Sequence, residues 1–162
     1  MKTAVLTTSW DDGHRRDVRL ARMLKEHGLK ATFYVAPENQ EFAKQDLLSL
    51  PEIRELSQDF EIGAHSMTHR RLPTLSEQEA TREIIESKAV LEQVIGKEIK
   101  VFCYPGGAYT GLHMQLVKDA GYRYARTVEG THLQWTIPTR PELLCMSITT
   151  GSGSTYGRPL GL

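Results

Sequence analysis

The sequence predicts an α/β protein built on a parallel sheet. Three observations carry this expectation. Short apolar, β-branched runs alternate with stretches whose apolar residues recur every three or four positions. Gly28, Gly96 and Gly121 stand where helical stretches should stop. The residues best suited to chemistry directly follow the strand-like runs, where parallel sheets place their functional loops.

Ala4-Val5-Leu6-Thr7-Thr8 reads as the first strand. It leads through Ser9 and Trp10 into two adjacent acids, Asp11 and Asp12, and Gly13 breaks it. Arg15 to His27 reads as a helix, with Val18, Ala21 and Leu24 on one side. Ala31 to Val35 is a second strand, ended by Pro37, and 38–45 is a polar loop. Pro51 suits the first turn of a short helix reaching about Gln58. Phe60 to Ala64 is a third strand that runs into His65.

Ser76-Glu77-Gln78-Glu79 is a capping-box pattern and should open the longest helix. Ala80, Ile84, Leu91 and Ile95 form its apolar stripe, while Arg82, Glu83, Glu86 and Gln93 are expected to face outward. Ile99 to Tyr104 is a fourth strand, stopped by Pro105-Gly106-Gly107. Leu112 to Ala120 is a helix, Tyr122 to Val128 a fifth strand, and Leu143 to Thr149 can form one more. A single domain is expected over 1–162, with 129–162 as an irregular tail.

The 162 residues carry 20 basic and 20 acidic side chains, for a formal net charge of +0. That balance makes no general case for binding nucleic acid or an anionic membrane. No apolar run approaches the roughly 20 residues that span a bilayer, and Met1-Lys2-Thr3 leaves no room for a signal peptide ahead of the first strand. The expected location is cytoplasmic, and Cys103 and Cys145 are expected to be free thiols.

Asp11 and Asp12 repel one another and are costly to bury without a cation or a shared proton. His65-Ser66-Met67-Thr68-His69 supplies two imidazoles that a turn or loop can bring together. His65 follows a strand, as Asp12 does, so both should emerge on one face of the sheet. Two imidazoles and a carboxylate are an ordinary three-ligand set for catalytic zinc; cobalt, nickel and manganese also accept it. Phe102-Cys103-Tyr104-Pro105-Gly106-Gly107-Ala108-Tyr109 follows another strand, and its glycines let backbone approach a ligand closely.

Ser9-Trp10-Asp11-Asp12-Gly13, His65-Ser66-Met67-Thr68-His69 and Phe102-Cys103-Tyr104-Pro105-Gly106-Gly107, in this order and spacing, resemble the NodB-homology polysaccharide deacetylases, carbohydrate esterase family 4. The resemblance spans Met1 to about Val128. It implies a distorted (β/α) barrel with fewer strands than a complete one, here five or six βα units. It implies that Asp12, His65 and His69 bind the metal, zinc in most such enzymes, and that Asp11 is the general base for the water the metal activates. A backbone N–H, that of Gly106, would serve the oxyanion, and Trp10, Tyr104 and Tyr109 would contact sugar. The implied substrate is an acetylated oligo- or polysaccharide, with N-acetyl groups favoured over O-acetyl.

The chain departs from the family pattern in two places. Many members carry an arginine near the position of Cys103 to orient the base; Arg126, at the end of the fifth strand, is the expected substitute. The family's late histidine, its general acid, has no counterpart, since only His113 and His132 follow His69. His14 is close to the acid pair in sequence but reads as a loop residue. Either the barrel is truncated, or a partner chain completes it, or the acid role is lost or moved; the exposed edges of an incomplete barrel predict self-association into a homo-oligomer. Two other readings stay open: a non-catalytic carbohydrate- or metal-binding remnant of the same fold, and a different metal hydrolase such as a phosphoesterase.

Overall fold

β-Branched and aromatic residues let short segments pack as buried strands, and Gly-terminated amphipathic segments supply the crossovers between them. The computed structural model describes residues 7–127 and 144–146. Six strands form one sheet in the order β1-β2-β3-β4-β5-β6. They are β1 (Thr7–Trp10), β2 (Lys30–Val35), β3 (Glu61–Ala64), β4 (Val101–Cys103), β5 (Tyr124–Arg126) and β6 (Leu144–Met146). Every neighbouring pair is parallel, from Thr7↔Lys30 to Arg126↔Met146.

Parallel neighbours require a crossover at each step. Helices α1 (Asp17–Glu26), α2 (Leu50–Leu56), α3 (Glu77–Ile95) and α4 (Gly111–Asp119) make the first four. The result is an incomplete, distorted (β/α) barrel, with β1 and β6 as the edges among the described residues. Among those residues no helix is long and apolar enough to cross a membrane.

Element boundaries shift in ways that matter for the site. β1 continues through Trp10 rather than stopping at Thr8, so Asp11 is the first residue beyond it. β4 stops at Cys103, and Tyr104 already belongs to the turn that follows. Residues 1–6, most of the tail at 129–162, His132 and the thiol of Cys145 lie outside the described residues.

The capping box of α3 is present: Ser76 Oγ accepts the Glu79 N–H at 3.3 Å, and Glu79 Oε2 accepts the Ser76 N–H at 3.0 Å. Gly96 ends the helix in the left-handed region at φ 68°. α2 carries a second box, Ser49 with Glu52; its Ser-x-x-Glu signature stands in the sequence beside Pro51. Ala80, Ile84 and Leu91 are fully buried against Phe33, Phe102 and Val117. One expectation for α3 fails. Glu83 does not face solvent but is buried, 7% exposed, because the loop after β3 folds back over the first turns of the helix and bonds to it.

Candidate active site

The acid pair sits where β1 ends and the chain must turn. Asp12 takes up φ 81° and Gly13 φ 73°. A side chain at Gly13 would place its Cβ 2.8 Å from Val35 Cγ1, so the turn closes tightly on β2. Asn39 Nδ2 donates to the Asp12 carbonyl at 3.2 Å and pins the turn from the loop after β2.

His65 follows β3 directly, and its N–H donates to the Val35 carbonyl at 3.0 Å. His69 returns to the same place through a loop rather than a helical turn. Ser66 at φ 60° and His69 at φ 66° make that return, and Ser66 Oγ accepts the His69 N–H at 3.0 Å.

Three donor atoms meet as a result. Asp12 Oδ1 lies 3.1 Å from His69 Nε2 and 3.5 Å from His65 Nε2, and the two Nε2 atoms are 3.1 Å apart. Ligands held about 2.0–2.2 Å from one tetrahedral ion stand about 3.3–3.6 Å apart, so the triangle is close to the size a divalent ion needs. The protonation of the rings also fits. His65 Nδ1 lies 2.7 Å from the Cys103 carbonyl, which can only accept, so Nδ1 carries the hydrogen and Nε2 the lone pair. His69 Nδ1 lies 3.1 Å from Glu41 Oε1, which places a carboxylate beside that ring. When the two rings are instead protonated, burial still works to raise the Asp12 pKa, but hydrogen bonds and positive charge from His65 and His69 hold it well below the usual carboxylate range. For His69, burial works downward and is outweighed by Asp12 and Glu41, which raise it.

Asp11 is held differently. Its Oδ2 receives the Arg126 guanidinium and lies 3.8 Å from Cys103 Sγ. Its Oδ1 is buried with no hydrogen-bond partner among the described residues. Burial, then the Asp11 charge, pushes the Cys103 thiol up, so it stands beside the carboxylate as a neutral group. Arg126 is largely buried, with its guanidinium over the Tyr34 ring at 5.2 Å, so it is not a surface residue. Behind the pair lies Asp17, whose carboxyl is pushed up to about 7 by burial and then by the charges of Asp12 and Asp11.

The other expected site residues divide. Trp10 is 36% exposed at the end of β1. Tyr109 is half-buried and stacks on Tyr104 at 4.9 Å. Tyr104 itself is fully buried in the core, packed edge-on to Phe102; strand alternation does not carry past Cys103, and its ring has no surface to offer a sugar. Gly106 is exposed at φ 61°, with the Arg71 guanidinium over the place a Cβ would occupy. His113 is buried in the cap of α4, its Nδ1 accepting the Thr110 N–H at 3.0 Å. His14 Nδ1 accepts the Arg16 N–H at 3.0 Å and its ring meets Phe42, so it is a loop residue. Sequence reasoning missed Asn39, Glu41 and Glu83, which carry no motif.

A polysaccharide deacetylase family model matches residues 1–125. The chain belongs to the polysaccharide deacetylase family. The resemblance read from the three motifs is therefore borne out. A peptidoglycan-N-acetylglucosamine deacetylase of Bacillus cereus is 33% identical over 127 residues, 75% of this chain and 44% of that protein. The crystal structure of a polysaccharide deacetylase from Bacillus cereus matches with a TM-score of 0.72 at 25% identity, over 86% of this chain and 44% of that one. The Streptococcus pyogenes deacetylase PplD, solved with acetate, matches with a TM-score of 0.69 over 74% of this chain and 54% of that one; at 24% identity the likeness concerns the fold. The chain spans about half the length of these polysaccharide deacetylases.

Proposed function

We propose that this chain forms the hydrolytic site of a metal-dependent carbohydrate deacetylase, acting on N-acetyl in preference to O-acetyl groups of an oligo- or polysaccharide. The observation that carries the reading is the meeting of Asp12 Oδ1, His65 Nε2 and His69 Nε2 beside a second carboxylate, Asp11, whose Oδ2 is taken up by Arg126. Asp12, His65 and His69 would hold the divalent ion, zinc first among those that suit two imidazoles and a carboxylate. Such an ion supplies Lewis acidity toward water and toward an acetyl carbonyl oxygen.

The chain's own groups do the rest. Asp11 Oδ1, buried and unpartnered among the described residues, accepts a proton from the attacking water. Arg126 fixes the other oxygen and keeps Asp11 aimed. The N–H of Gly106, an exposed residue, would serve the developing oxyanion. Trp10 and Tyr109 offer aromatic surface to the sugar.

A second reading, a non-catalytic remnant of the fold, draws on one observation. Among the described residues, His14 and His113 are both engaged with backbone and neither joins the Asp12–His65–His69 cluster, so neither stands as a proton donor. The intact Asp11–Arg126 pair argues against that reading, since a binding site has no use for a base. Metal content and acetate release from acetylated chito-oligosaccharides and acetyl-xylan separate the two, measured on wild type and Asp11→Asn. Bound metal in both, with acetate released by wild type and slowed roughly 10²–10⁴-fold in the variant, is the expected result. Bound metal with no acetate released from any substrate sinks the enzyme reading.

A further inference from the structure

We propose that Glu83, a residue of α3, is a positioning residue that sets the metal affinity of the Asp12–His65–His69 cluster by holding the loop between the two histidines; this rests on the metal-site reading above. A buried carboxylate is costly unless its oxygens are satisfied. Those of Glu83 are satisfied by that loop. Oε2 accepts the Met67 N–H at 2.9 Å and the Thr68 N–H at 2.8 Å, and Oε1 accepts the Thr68 hydroxyl at 2.5 Å.

The loop needs such a hold. It must bring two imidazoles four residues apart to one point, and it does so with two non-glycine residues in the left-handed region, Ser66 and His69. That conformation persists only where surrounding contacts over-determine it. On the opposite side, the Met67 and Thr68 carbonyls accept the Glu38 N–H at 2.9 Å and the Gln40 N–H at 3.2 Å. The same 38–41 segment holds Asp12 through Asn39 and faces His69 through Glu41. Glu83 is thus one jaw of a clamp whose other jaw, the 38–41 segment, is already joined to Asp12. Glu83 is not itself a ligand: its oxygens are taken up by the loop, and it is absent from the ligand groups among the described residues.

The test is metal affinity, read by chelator competition with zinc and by the visible absorption of the cobalt-loaded protein, which reports coordination geometry. Glu83→Ala should raise the dissociation constant roughly 10–100-fold, the scale for groups that orient ligands, and weaken the cobalt bands. Glu83→Gln should restore affinity to within roughly threefold, because its carbonyl can accept both N–H groups while its amide donates to the Thr68 hydroxyl. Ser76→Ala, which frays the start of the same helix, should lower the denaturation midpoint and leave affinity at the wild-type value. Should Glu83→Ala fail to fold, Thr68→Val removes one of the three bonds and should weaken binding in the same direction. Wild-type affinity in folded Glu83→Ala or in Thr68→Val overturns the proposal. So does Glu83→Gln binding as weakly as Glu83→Ala, or Ser76→Ala weakening binding equally. A wild-type protein that binds no divalent ion instead overturns the metal-site reading, and the proposal with it.

Discussion

Arg126 reaches Asp11 from a strand directly beside Cys103: the two residues are Cα partners in the β4–β5 register, and both side chains converge on Asp11 Oδ2. The cation that the third motif would supply from β4 comes here from β5, one strand over. Tyr34 lies under the guanidinium and limits where it can go. If this pair keeps Asp11 oriented, Arg126→Ala should slow acetate release by roughly 10²–10³-fold while metal content stays at the wild-type level. Arg126→Lys should recover only part of the loss, since an ammonium lacks the planar fork. Full activity in Arg126→Ala, measured as kcat on an acetylated chito-oligosaccharide, would make the arginine a bystander.

The three-ligand cluster makes a simpler prediction. Either His65→Ala or His69→Ala should abolish stoichiometric zinc, leaving two donors where three stood. Chelation of the wild-type protein should stop acetate release, and added zinc should restore it. Zinc at full occupancy in both variants would place the ion elsewhere.

Asp17 predicts how the metal-free protein responds to pH. Unfolded, its carboxyl titrates near 3.8; folded, near about 7, because it is buried behind the charges of Asp12 and Asp11. Between those values the native state keeps a proton that the unfolded state has released. The contribution of Asp17 to stability should therefore be full below about pH 4 and be lost as pH rises toward 7. Asp17→Asn cannot ionise, so its urea midpoint, followed in chelator from pH 4 to 8, should fall by about half as much as that of wild type, or less. Equal slopes in the two proteins would show that Asp17 is ionised in the fold.

Gly63 tests the packing beneath the histidines. A Cβ there would lie 2.5 Å from Tyr34 Cδ1 and 2.8 Å from Val101 Cγ2. Gly63→Ala should destabilise the protein by about 1–3 kcal/mol, the range for overpacking a filled core, and a denaturant curve matching wild type would contradict the packing. Because Tyr34 also supports Arg126, activity should fall along with stability.

Much of the site is legible in the sequence because the residues of the acid–histidine cluster are local. Asp11 and Asp12 are adjacent, His65 and His69 share one loop, and each group directly follows a strand. Arg126 was legible only by position, at the end of the fifth strand. Glu83 was misread for a physical reason. Helical periodicity reports which face meets the core, and it is blind to a loop that folds back over the other face and offers N–H groups to a carboxylate. Glu41 sits in a polar loop with no pattern to single it out. Tyr104 was assigned to the sugar although the strand ends before it and turns its ring into the core.

The sheet order matches the order in which the strands are synthesised. β1 delivers the acid pair first, with no positive charge opposite it. β3 brings the histidines, and β5 brings Arg126 last. A chain docked only as far as β4 would set Asp11 beside the Cys103 thiol without the Arg126 guanidinium. His65 and His69 offset Asp12 once the loop after β3 is in place, whereas the Asp11 carboxyl meets its arginine only when the fifth strand docks.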